Sequence, residues 1–454
     1  MAIASANCPL VTYKRIQRQF PDFVDAWING SVVLLEMGRS EEALEMALKA
    51  VDLGPEDPAA LYTLIKIQYH LGFTEESIAS SEKIIKLAGH FTTSKRFAEA
   101  LAIYDRFIHI HPSNPALLIE RGYAKTSMMD LAGAEEDYAK AVELDSSITI
   151  ACWNLAYVHL LQYRYHEAWP NLRSHIGCEE WLKNKRDFGK PQWQGESLDG
   201  RTLLIYYAQG FGDTIQFSRF IPQLKQFGGR VLYWIPRALQ RLLTNCASVD
   251  TIAIEGEPLP KFDLTVSDTE LPVILDVGIS DLAPLPPPTL PEPQTIPELN
   301  RPGFKVGLTW AGNKGHDNDH YRSMNPHYLD ELADMEGIAW YGLQLPKATV
   351  LPNLPGIIDL SHHMNDFLDS AQLIRQLDMA VTVDTSMAHL AGFLGLPAVV
   401  LLPFKPDWRW GATGKHTPWY PSLTLLRQPA HGDWKSVISE LRILITERIN
   451  LGNK

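Results

Sequence analysis

Small residues recur along the first 175 residues at a fixed spacing that indicates repeated helical pairs. The intervals from Ala43 to Ser77, from Ala100 to Ala134 and from Ala134 to Ala168 are each 34 residues. This period is typical of stacked helix-turn-helix units, in which small side chains lie where two helices cross closely. The interval from Ser77 to Ala100 is only 23 residues, which predicts a break in the register near Gly89–Thr93. We therefore expect about four to five helical pairs.

The first of these units matches the tetratricopeptide repeat. The matching positions are Trp27, Leu34, Gly38, Ala43, Leu44, Ala47, Ala50 and Pro55. Pro55, Pro58, Pro112 and Pro115 fall between the predicted helices, where a missing N–H group costs least. We predict a tetratricopeptide-like helical domain over residues 1–178. Its concave groove would hold a peptide or another protein, as in most repeat proteins; otherwise the stack packs on the rest of the chain or mediates self-association.

Strand and helix patterns alternate from about Arg201 onward. An apolar run over 201–208 is followed by a glycine turn and then by a helical pattern, and a similar alternation starts again at Phe304. Such alternation predicts parallel α/β sheets. The prolines of Pro272–Pro302 argue against helix or central strand and predict a linker. The predicted fold is an α-helical solenoid followed by two Rossmann-like α/β lobes, residues 179–300 and 301–454, with a cleft between them.

Composition and charge narrow the possible partners. Apolar residues make up 45% and charged residues 21% of the 454-residue chain, which is ordinary for a folded globular protein. The formal net charge of −12 makes nucleic acid an unexpected partner. The four cysteines, Cys8, Cys152, Cys178 and Cys246, are scattered without a CxxC pair, as expected in a reducing compartment. With no predicted signal peptide and no predicted membrane span, we expect a cytoplasmic protein.

The first glycine turn is a candidate anion site. Gly210 and Gly212 place backbone N–H groups at the start of a helix directly after a strand, where the helix dipole favours an anion such as a diphosphate. Tight strand-to-helix turns also need glycine for structural reasons alone. Asp213 in the same turn either caps the helix or takes a proton from a hydroxyl nucleophile. Both interpretations of each feature stay open at this point.

The second α/β half carries a comparable turn. Asp384, Thr385 and Ser386 follow a strand, so they either bind an anion or simply cap the next helix. Arg322 could pair with phosphate oxygens or stand in solvent. The polar run His316–His320 has metal-ligand residue types, but we expect no metal there. Aromatic residues over 407–410 and 416–420 either stack on a base or sugar or pack into the core.

Several motifs in order resemble one known family. They are Gln209–Pro222, Val306–Asn313, Arg322–Ser323, Thr382–Gly392 and Leu402–Trp410. Together they resemble bacterial tetratricopeptide proteins that end in a heptosyltransferase-like glycosyltransferase of family 9, with an architecture similar to that of the O-GlcNAc transferases. The resemblance implies a GT-B fold and an inverting, metal-independent transfer from a nucleotide-diphosphate sugar, with no further cofactor.

The resemblance also implies roles for individual residues. Asp213 matches the catalytic aspartate of the family. The positions implied on the donor side are Gly210, Gly212, Trp310, Gly312, Asn313, Arg322, Gln344, Asp384, Thr385, Ser386, Met387 and His389. Arg322 stands where relatives carry a lysine.

The acceptor is left open by the sequence. The repeat groove favours a hydroxyl on a protein or peptide, whereas family members without repeats act on lipid-linked saccharides. A third possibility is a non-enzymatic scaffold, in which the repeats recruit partners and the α/β region binds a nucleotide sugar without turnover. The sugar and the nucleotide base are not readable from the motifs.

Overall fold

The chain forms two compact units in a computed structural model, residues 1–158 and 159–454. The structure describes residues 9–94, 96–173, 186–244, 249–282, 288–346 and 350–452. The sequence places its first domain boundary at residue 178, which lies outside the described residues. The predicted limits of the three domains stay predictions.

Residues 9–173 form a series of helices joined by short turns. The helices are α1 (Pro9–Gln19), α2 (Val24–Glu36), α3 (Ser40–Leu53), α4 (Pro58–His70), α5 (Thr74–Thr93), α6 (Phe97–Ile110), α7 (Pro115–Ser127), α8 (Leu131–Leu144), α9 (Thr149–Leu161) and α10 (Tyr165–Arg173). Sequential helices pack on each other throughout α1 to α8, which is the architecture that the repeat spacing predicts.

The five small residues of the repeat pattern occupy equivalent places. Each is the fourth residue of its helix and has no exposed surface: Ala43 in α3, Ser77 in α5, Ala100 in α6, Ala134 in α8 and Ala168 in α10. Small side chains at these places let neighbouring helices approach closely. The spacing therefore predicted these helix crossings correctly.

The predicted break at Gly89–Thr93 is wrong in its local structure, because these residues continue α5 to a length of 20 residues. The small fourth residue occurs in both α5 and α6, which are consecutive helices. The interval from Ser77 to Ala100 is short because it spans one helix and one turn. Two of the prolines expected between helices, Pro58 and Pro115, are instead the first residues of α4 and α7. Proline is favoured there because its fixed φ suits the first turn and its N–H would be unpaired anyway.

The second unit contains two wholly parallel sheets, which confirms the predicted α/β class. The first has four strands in the order β3-β2-β1-β4. Its strands are β1 (Thr202–Tyr206), β2 (Arg230–Ile235), β3 (Thr251–Ile254) and β4 (Leu264–Ser267). Its helices are α11 (Phe211–Phe217), α12 (Gln240–Thr244) and α13 (Leu271–Ile274), with 3-10 turns over Ser218–Phe227, Arg237–Leu239 and Asp268–Glu270.

The second sheet has six strands in the order β10-β9-β8-β5-β6-β7. Its strands are β5 (Phe304–Thr309), β6 (Ile338–Gly342), β7 (Ile358–Asp359), β8 (Met379–Val383), β9 (Ala398–Leu402) and β10 (Leu423–Arg427). Its helices are α14 (Asp319–Arg322), α15 (Phe367–Ile374), α16 (Ser386–Phe393) and α17 (Trp434–Gly452). Its 3-10 turns are Pro326–Leu332, Ser361–His363 and Trp408–Trp410. Trp340, Val381 and Leu401 pack with Ile438 and Leu441 of α17 in one apolar core.

The proline-rich stretch departs from the predicted linker. It begins inside helix α13, where Pro272 stands in the first turn and its missing N–H costs nothing, and it contains 3-10 turns over Ile279–Leu282 and Pro297–Leu299. Two side chains that follow α15 donate to the later part, Arg375 Nη1 to the Pro291 carbonyl over 3.2 Å and Gln376 Nε2 to the Gln294 carbonyl over 3.1 Å. The stretch contains three consecutive prolines, Pro286–Pro288, of which residues 286 and 287 lie outside the described residues.

Two further expectations concern membranes and cysteines. None of the helices in the described ranges is long and apolar enough to cross a membrane. Cys152 is a buried free thiol, whereas Cys8, Cys178 and Cys246 lie outside the described residues. A cytoplasmic location stays a prediction.

Candidate functional site

Asp213 lies in the first turn of α11, immediately after the glycine turn that follows β1. Its Oδ2 accepts a hydrogen bond from the Gly210 N–H over 3.0 Å, so the carboxylate does cap its own helix. The other oxygen, Oδ1, accepts a hydrogen bond from the guanidinium of Arg409. Because the Asp213 side chain keeps 18% of its surface exposed, capping does not remove it from solvent.

Arg409 joins the two sheets of the second unit. It lies in the 3-10 turn after β9, and its Nε donates to Gln216 Oε1 over 2.8 Å. Its Nη1 donates to Asp407 Oδ1 over 2.9 Å, and its Nη2 reaches Asp213. The guanidinium therefore bridges α11 of the first sheet and the loop after β9 of the second.

The carboxylates around Arg409 differ in their readiness to ionise. Burial alone would lower the pKa of Arg409, but Asp407 and Asp213 beside it raise that pKa above its usual value. Burial opposes ionisation of Asp407, yet Arg409 holds the pKa of this carboxyl below its usual range. Burial and then the charge of Asp407 raise the pKa of Asp384, while Arg322 and Arg409 act in the opposite direction. The site thus combines a permanent cation with carboxyl groups of unequal acidity.

The turn after β8 presents hydroxyl groups at the start of α16. Thr385 is the N-cap residue, and its Oγ1 accepts a hydrogen bond from the Met387 N–H over 3.3 Å. Thr385 and Ser386 are partly exposed, whereas Met387 and Asp384 are buried. Capping by Thr385 is therefore present, and Ser386 lies beside it at the positive end of the helix dipole.

His389 of α16 packs directly against α11. A β-carbon built on Gly212 would lie 2.6 Å from His389 Cδ2, so glycine at 212 is required for this close approach. The His389 Nδ1 lies 3.0 Å from the Tyr420 hydroxyl. Burial, followed by the charge of Arg409, lowers the pKa of His389 to about 3. The ring is therefore neutral near pH 7 and cannot supply positive charge to a phosphate.

Gln344, after β6, shapes the loop after β5. Its Oε1 accepts hydrogen bonds from the N–H groups of Trp310 and Ala311 over 3.1 and 2.9 Å. Its Nε2 donates to the carbonyls of Ala311 and Leu345 over 3.0 and 2.9 Å. Both the oxygen and the nitrogen of the Gln344 side-chain amide are thus hydrogen-bonded to backbone atoms. These bonds fix the position of Trp310, which is buried.

Arg322 lies beside the same loop. Its guanidinium is close to Gly312, where a β-carbon would lie 2.8 Å from Nη2, and its Nε is 3.5 Å from Asp319 Oδ1. The Gly312 N–H donates to Ser323 Oγ over 2.9 Å. Asn313 is exposed and its Oδ1 accepts a hydrogen bond from the Gly315 N–H over 3.0 Å. The loop after β5 and the Arg322–Ser323 segment therefore form one connected structure.

Sequence reasoning missed the charged partners of Asp213. The sequence places Asp407 and Arg409 in an aromatic loop and in the motif Leu402–Trp410, without pairing them with Asp213, although two opposite charges two residues apart are a signal of an ion pair. Of the aromatic residues there, Trp410 and Trp419 are fully buried and pack into the fold. Burial, followed by the charge of Arg322, lowers the pKa of His316, whereas the charges of Asp407 and Asp213 act in the opposite direction. The polar run after β5 therefore lies near the site.

Comparison with known proteins identifies the helical part. Residues 31–89 match the tetratricopeptide-repeat family. Protein FlbA of Caulobacter vibrioides is 23% identical over 473 residues, which cover 93% of this chain and 72% of FlbA. This bacterial relative supports the predicted bacterial origin. The TPR repeat-containing thioredoxin TTL4 of Arabidopsis thaliana is 30% identical over 136 residues, which cover 30% of this chain and 19% of that protein.

Solved structures of tetratricopeptide proteins align with the chain only in part. The crystal structure of YrrB, described as a TPR protein with an unusual peptide-binding site, covers 37% of this chain at 16% identity, with a TM-score of 0.22. The structure of MamA covers 39% of this chain at 16% identity, with a TM-score of 0.21. Scores of this size do not establish a common fold.

Proposed function

We propose that the second unit is an inverting, metal-independent glycosyltransferase of GT-B architecture that uses a nucleotide-diphosphate sugar. The observation that carries the proposal is the placement of Asp213: a partly exposed carboxylate in the first turn of α11, paired with Arg409 from the second sheet. The order of motifs around this residue, which resembles family 9 glycosyltransferases, supports the same activity.

In this proposal Asp213 is the general base. The acceptor hydroxyl gives its proton to the Asp213 carboxylate while its oxygen forms a bond to the anomeric carbon. The bond between that carbon and the diphosphate oxygen breaks on the opposite face, so the configuration inverts. Arg409 and the Gly210 N–H orient the carboxylate, which has one oxygen bonded to each.

The departing nucleoside diphosphate needs stabilisation of its negative charge. Thr385 and Ser386 at the start of α16 offer hydroxyl groups and the positive end of the helix dipole. Arg322 supplies a positive charge beside the loop after β5. Preorganised donors of this kind stabilise charge that develops on a leaving group without any metal ion. His389, being neutral, contributes packing in this scheme.

The tetratricopeptide repeats support a protein or peptide as the acceptor. Repeats of this kind stack into a curved surface that commonly binds another chain. We therefore assign acceptor recruitment to the helical unit and sugar transfer to the α/β unit. Two other results would replace this assignment. One is transfer to a lipid-linked saccharide, and the other is binding of the nucleotide sugar without turnover, as in a scaffold.

A panel of nucleotide diphosphates and their sugar conjugates tests the proposal on the full chain. We expect one base to raise the melting temperature selectively, since a ligand at about a hundred times its Kd adds about 2.7 kcal/mol of stability. Incubation with the matching sugar conjugate should then release the nucleoside diphosphate, slowly with water and faster with acceptor. Binding without release would support the scaffold, and the absence of any shift would overturn the proposal.

A further inference from the structure

Glu298, His362 and His363 form a compact cluster on the second sheet, outside the Asp213 site. Glu298 lies in the 3-10 turn that precedes β5, and the two histidines lie in the 3-10 turn that follows β7. One ligand atom from each residue lies within 4.8 Å of the other two. The residues come together from segments more than 60 positions apart, His363 being 65 residues from Glu298.

The distances in this cluster match those between ligands around a metal ion, although His363 Nε2 also lies within hydrogen-bond distance of Glu298 Oε1. The Nε2 atoms of His362 and His363 lie 3.6 and 3.3 Å from the same oxygen, Oε1 of Glu298. A charge-assisted N–H···O bond is shorter, about 2.7–2.9 Å. Ligand atoms about 2.0–2.1 Å from a tetrahedral Zn²⁺ are separated from each other by about 3.4 Å.

The second oxygen of Glu298 supports the same interpretation. Oε2 is buried and accepts no hydrogen bond from the described part of the chain. A buried carboxylate oxygen without a donor is costly unless a positive charge lies nearby. A divalent cation bound between Glu298 and the two imidazoles supplies that charge.

We propose that Glu298, His362 and His363 bind one Zn²⁺ ion, with water in the fourth position. Two imidazole nitrogens and one carboxylate oxygen are a donor set that Zn²⁺ accepts, and its filled d shell imposes no other geometry. The site shares no residue with the Asp213 site, so it adds no metal to the proposed transfer chemistry.

The ion fastens the proline-rich segment to the edge of the second sheet. The Glu298 carbonyl already accepts a hydrogen bond from the Tyr341 hydroxyl over 3.1 Å, and Arg301 Nη1 donates to the Gly356 carbonyl over 2.6 Å. A bond through Zn²⁺ adds a link between this segment and the turn after β7, the edge strand. Zinc therefore stabilises the folded state, because the three ligands are brought together only by folding.

Titration of the full chain with Zn²⁺ tests the site. The protein carries no histidine tag and is first treated with a chelator, and calorimetry then measures affinity and stoichiometry. We expect one Zn²⁺ per chain and a rise in melting temperature on binding. Co²⁺ in place of Zn²⁺ should give the visible absorption of a tetrahedral complex.

Variants distinguish Zn²⁺ binding at this cluster from Zn²⁺ binding at other histidines of the chain. The double variant His362→Ala/His363→Ala should bind Zn²⁺ at least tenfold more weakly, because changes even to residues that only orient metal ligands cost about 10–100-fold. His327→Ala is the matched control, since His327 pairs with Asp330 at an exposed position and, among the described residues, belongs to no cluster of three possible metal ligands. Equal affinity in the double variant and the control would overturn the proposal, and so would failure of the unmodified chain to bind Zn²⁺.

Discussion

Gly212 and His389 are in such close contact that a β-carbon on Gly212 would lie 2.6 Å from His389 Cδ2. The first belongs to the helix after the first glycine turn and the second to the helix after the Asp384 turn. The missing side chain at 212 therefore sets how closely the carboxyl ends of the two sheets approach, and with them Asp213 and the Thr385 cap.

Gly212→Ala should lower the free energy of unfolding by about 1–3 kcal/mol, because the buried His389 ring is held by Tyr420 and cannot move aside freely. Gly210→Ala is the control, since a β-carbon there would lie 3.4 Å from Asp213 Oδ2. Chemical denaturation measures both variants. In a protein that already carries His389→Ala, Gly212→Ala should lower the free energy of unfolding by less. An equal decrease with and without His389→Ala would refute the steric explanation.

Arg409→Met should lower the free energy of unfolding by about 3–5 kcal/mol, because Asp213 and Asp407 lose the cation between them. Arg241→Met is the matched control. Arg241 also bridges two carboxylates, Asp366 and Asp369, but its side chain is 51% exposed, so its loss should cost about 0–1 kcal/mol.

The Arg409→Met variant should also respond to pH in a characteristic way. In the unmodified protein Arg409 holds the pKa of Asp407 below its usual range, so the pair contributes stability that is lost as the pH falls through that pKa. Arg409→Met lacks this contribution, so its loss of stability relative to the unmodified protein should shrink as the pH falls from about 5 to about 3. A deficit that is constant over this range would show that lost packing, not charge, dominates.

Asp268 predicts a second pH dependence. Burial, followed by the charge of Asp213, raises the pKa of Asp268 to about 7. Because this is above the value in the unfolded chain, about 3.9, the stability that Asp268 contributes at low pH is lost as the pH rises through about 7. The variant Asp268→Asn has no carboxyl at this position and so does not lose this stability. The free energy of unfolding of the variant minus that of the unmodified chain should therefore rise by a few kcal/mol between about pH 5 and about pH 8.

The control for this effect is Asp250→Asn. Asp250 likewise accepts a hydrogen bond from a backbone N–H, that of Val231 over 2.8 Å, but it is exposed. Denaturation of both variants across the same pH range gives the comparison. Parallel curves for Asp268→Asn and the unmodified protein would exclude a raised pKa at Asp268.

Asp213→Asn should abolish sugar transfer while it changes nucleotide affinity by no more than severalfold, because an amide cannot accept the acceptor's proton. Asp433→Asn removes another helix-capping carboxylate, which accepts the Ser436 N–H over 3.1 Å at the start of α17. It should leave turnover intact. Turnover and nucleotide binding are measured on both variants, and unchanged turnover in Asp213→Asn would remove this residue from the role of base.

Two glycines of the helical unit should respond oppositely to alanine. A β-carbon on Gly122 in α7 would lie 2.7 Å from Tyr138 Cε1 in α8, so Gly122→Ala should destabilise the unit by about 1–3 kcal/mol. Gly89 in α5 has nothing within 4 Å of that position, so Gly89→Ala should stabilise it by about 0.5–1 kcal/mol. Thermal unfolding followed by circular dichroism tests both signs, and equal signs would contradict the packing described for α7 and α8.

The elements of the fold were accessible from the sequence because they depend on neighbours in the chain. Small residues 34 positions apart predicted equivalent helix crossings, and all five proved fully buried at the fourth place of a helix. The apolar run at 201–208 contains β1, and the second alternation begins with β5 at Phe304. The glycine turn before Asp213 also follows from local order, since a strand, a glycine and a helix lie in sequence there.

Other expectations failed where the local signal was ambiguous. The prolines of the 272–302 stretch argue against helix, yet Pro272 and Pro297 both stand in the first turn of a helical segment, where proline is tolerated. The residues Gly89–Thr93 continue α5, because the tertiary contacts of a long helix outweigh one glycine and two threonines.

The sequence by itself determined the repeats, the α/β alternation and the identity of Asp213 as a carboxylate at a helix start. Only the tertiary structure decided its partner, because Arg409 is 196 residues away and no spacing rule joins them. Only the tertiary structure likewise shows that Gly212 contacts His389 and that Glu298 lies beside His362 and His363. Periodicity reports which face of an element is buried, whereas charge pairs and ligand clusters depend on which distant elements the fold brings together.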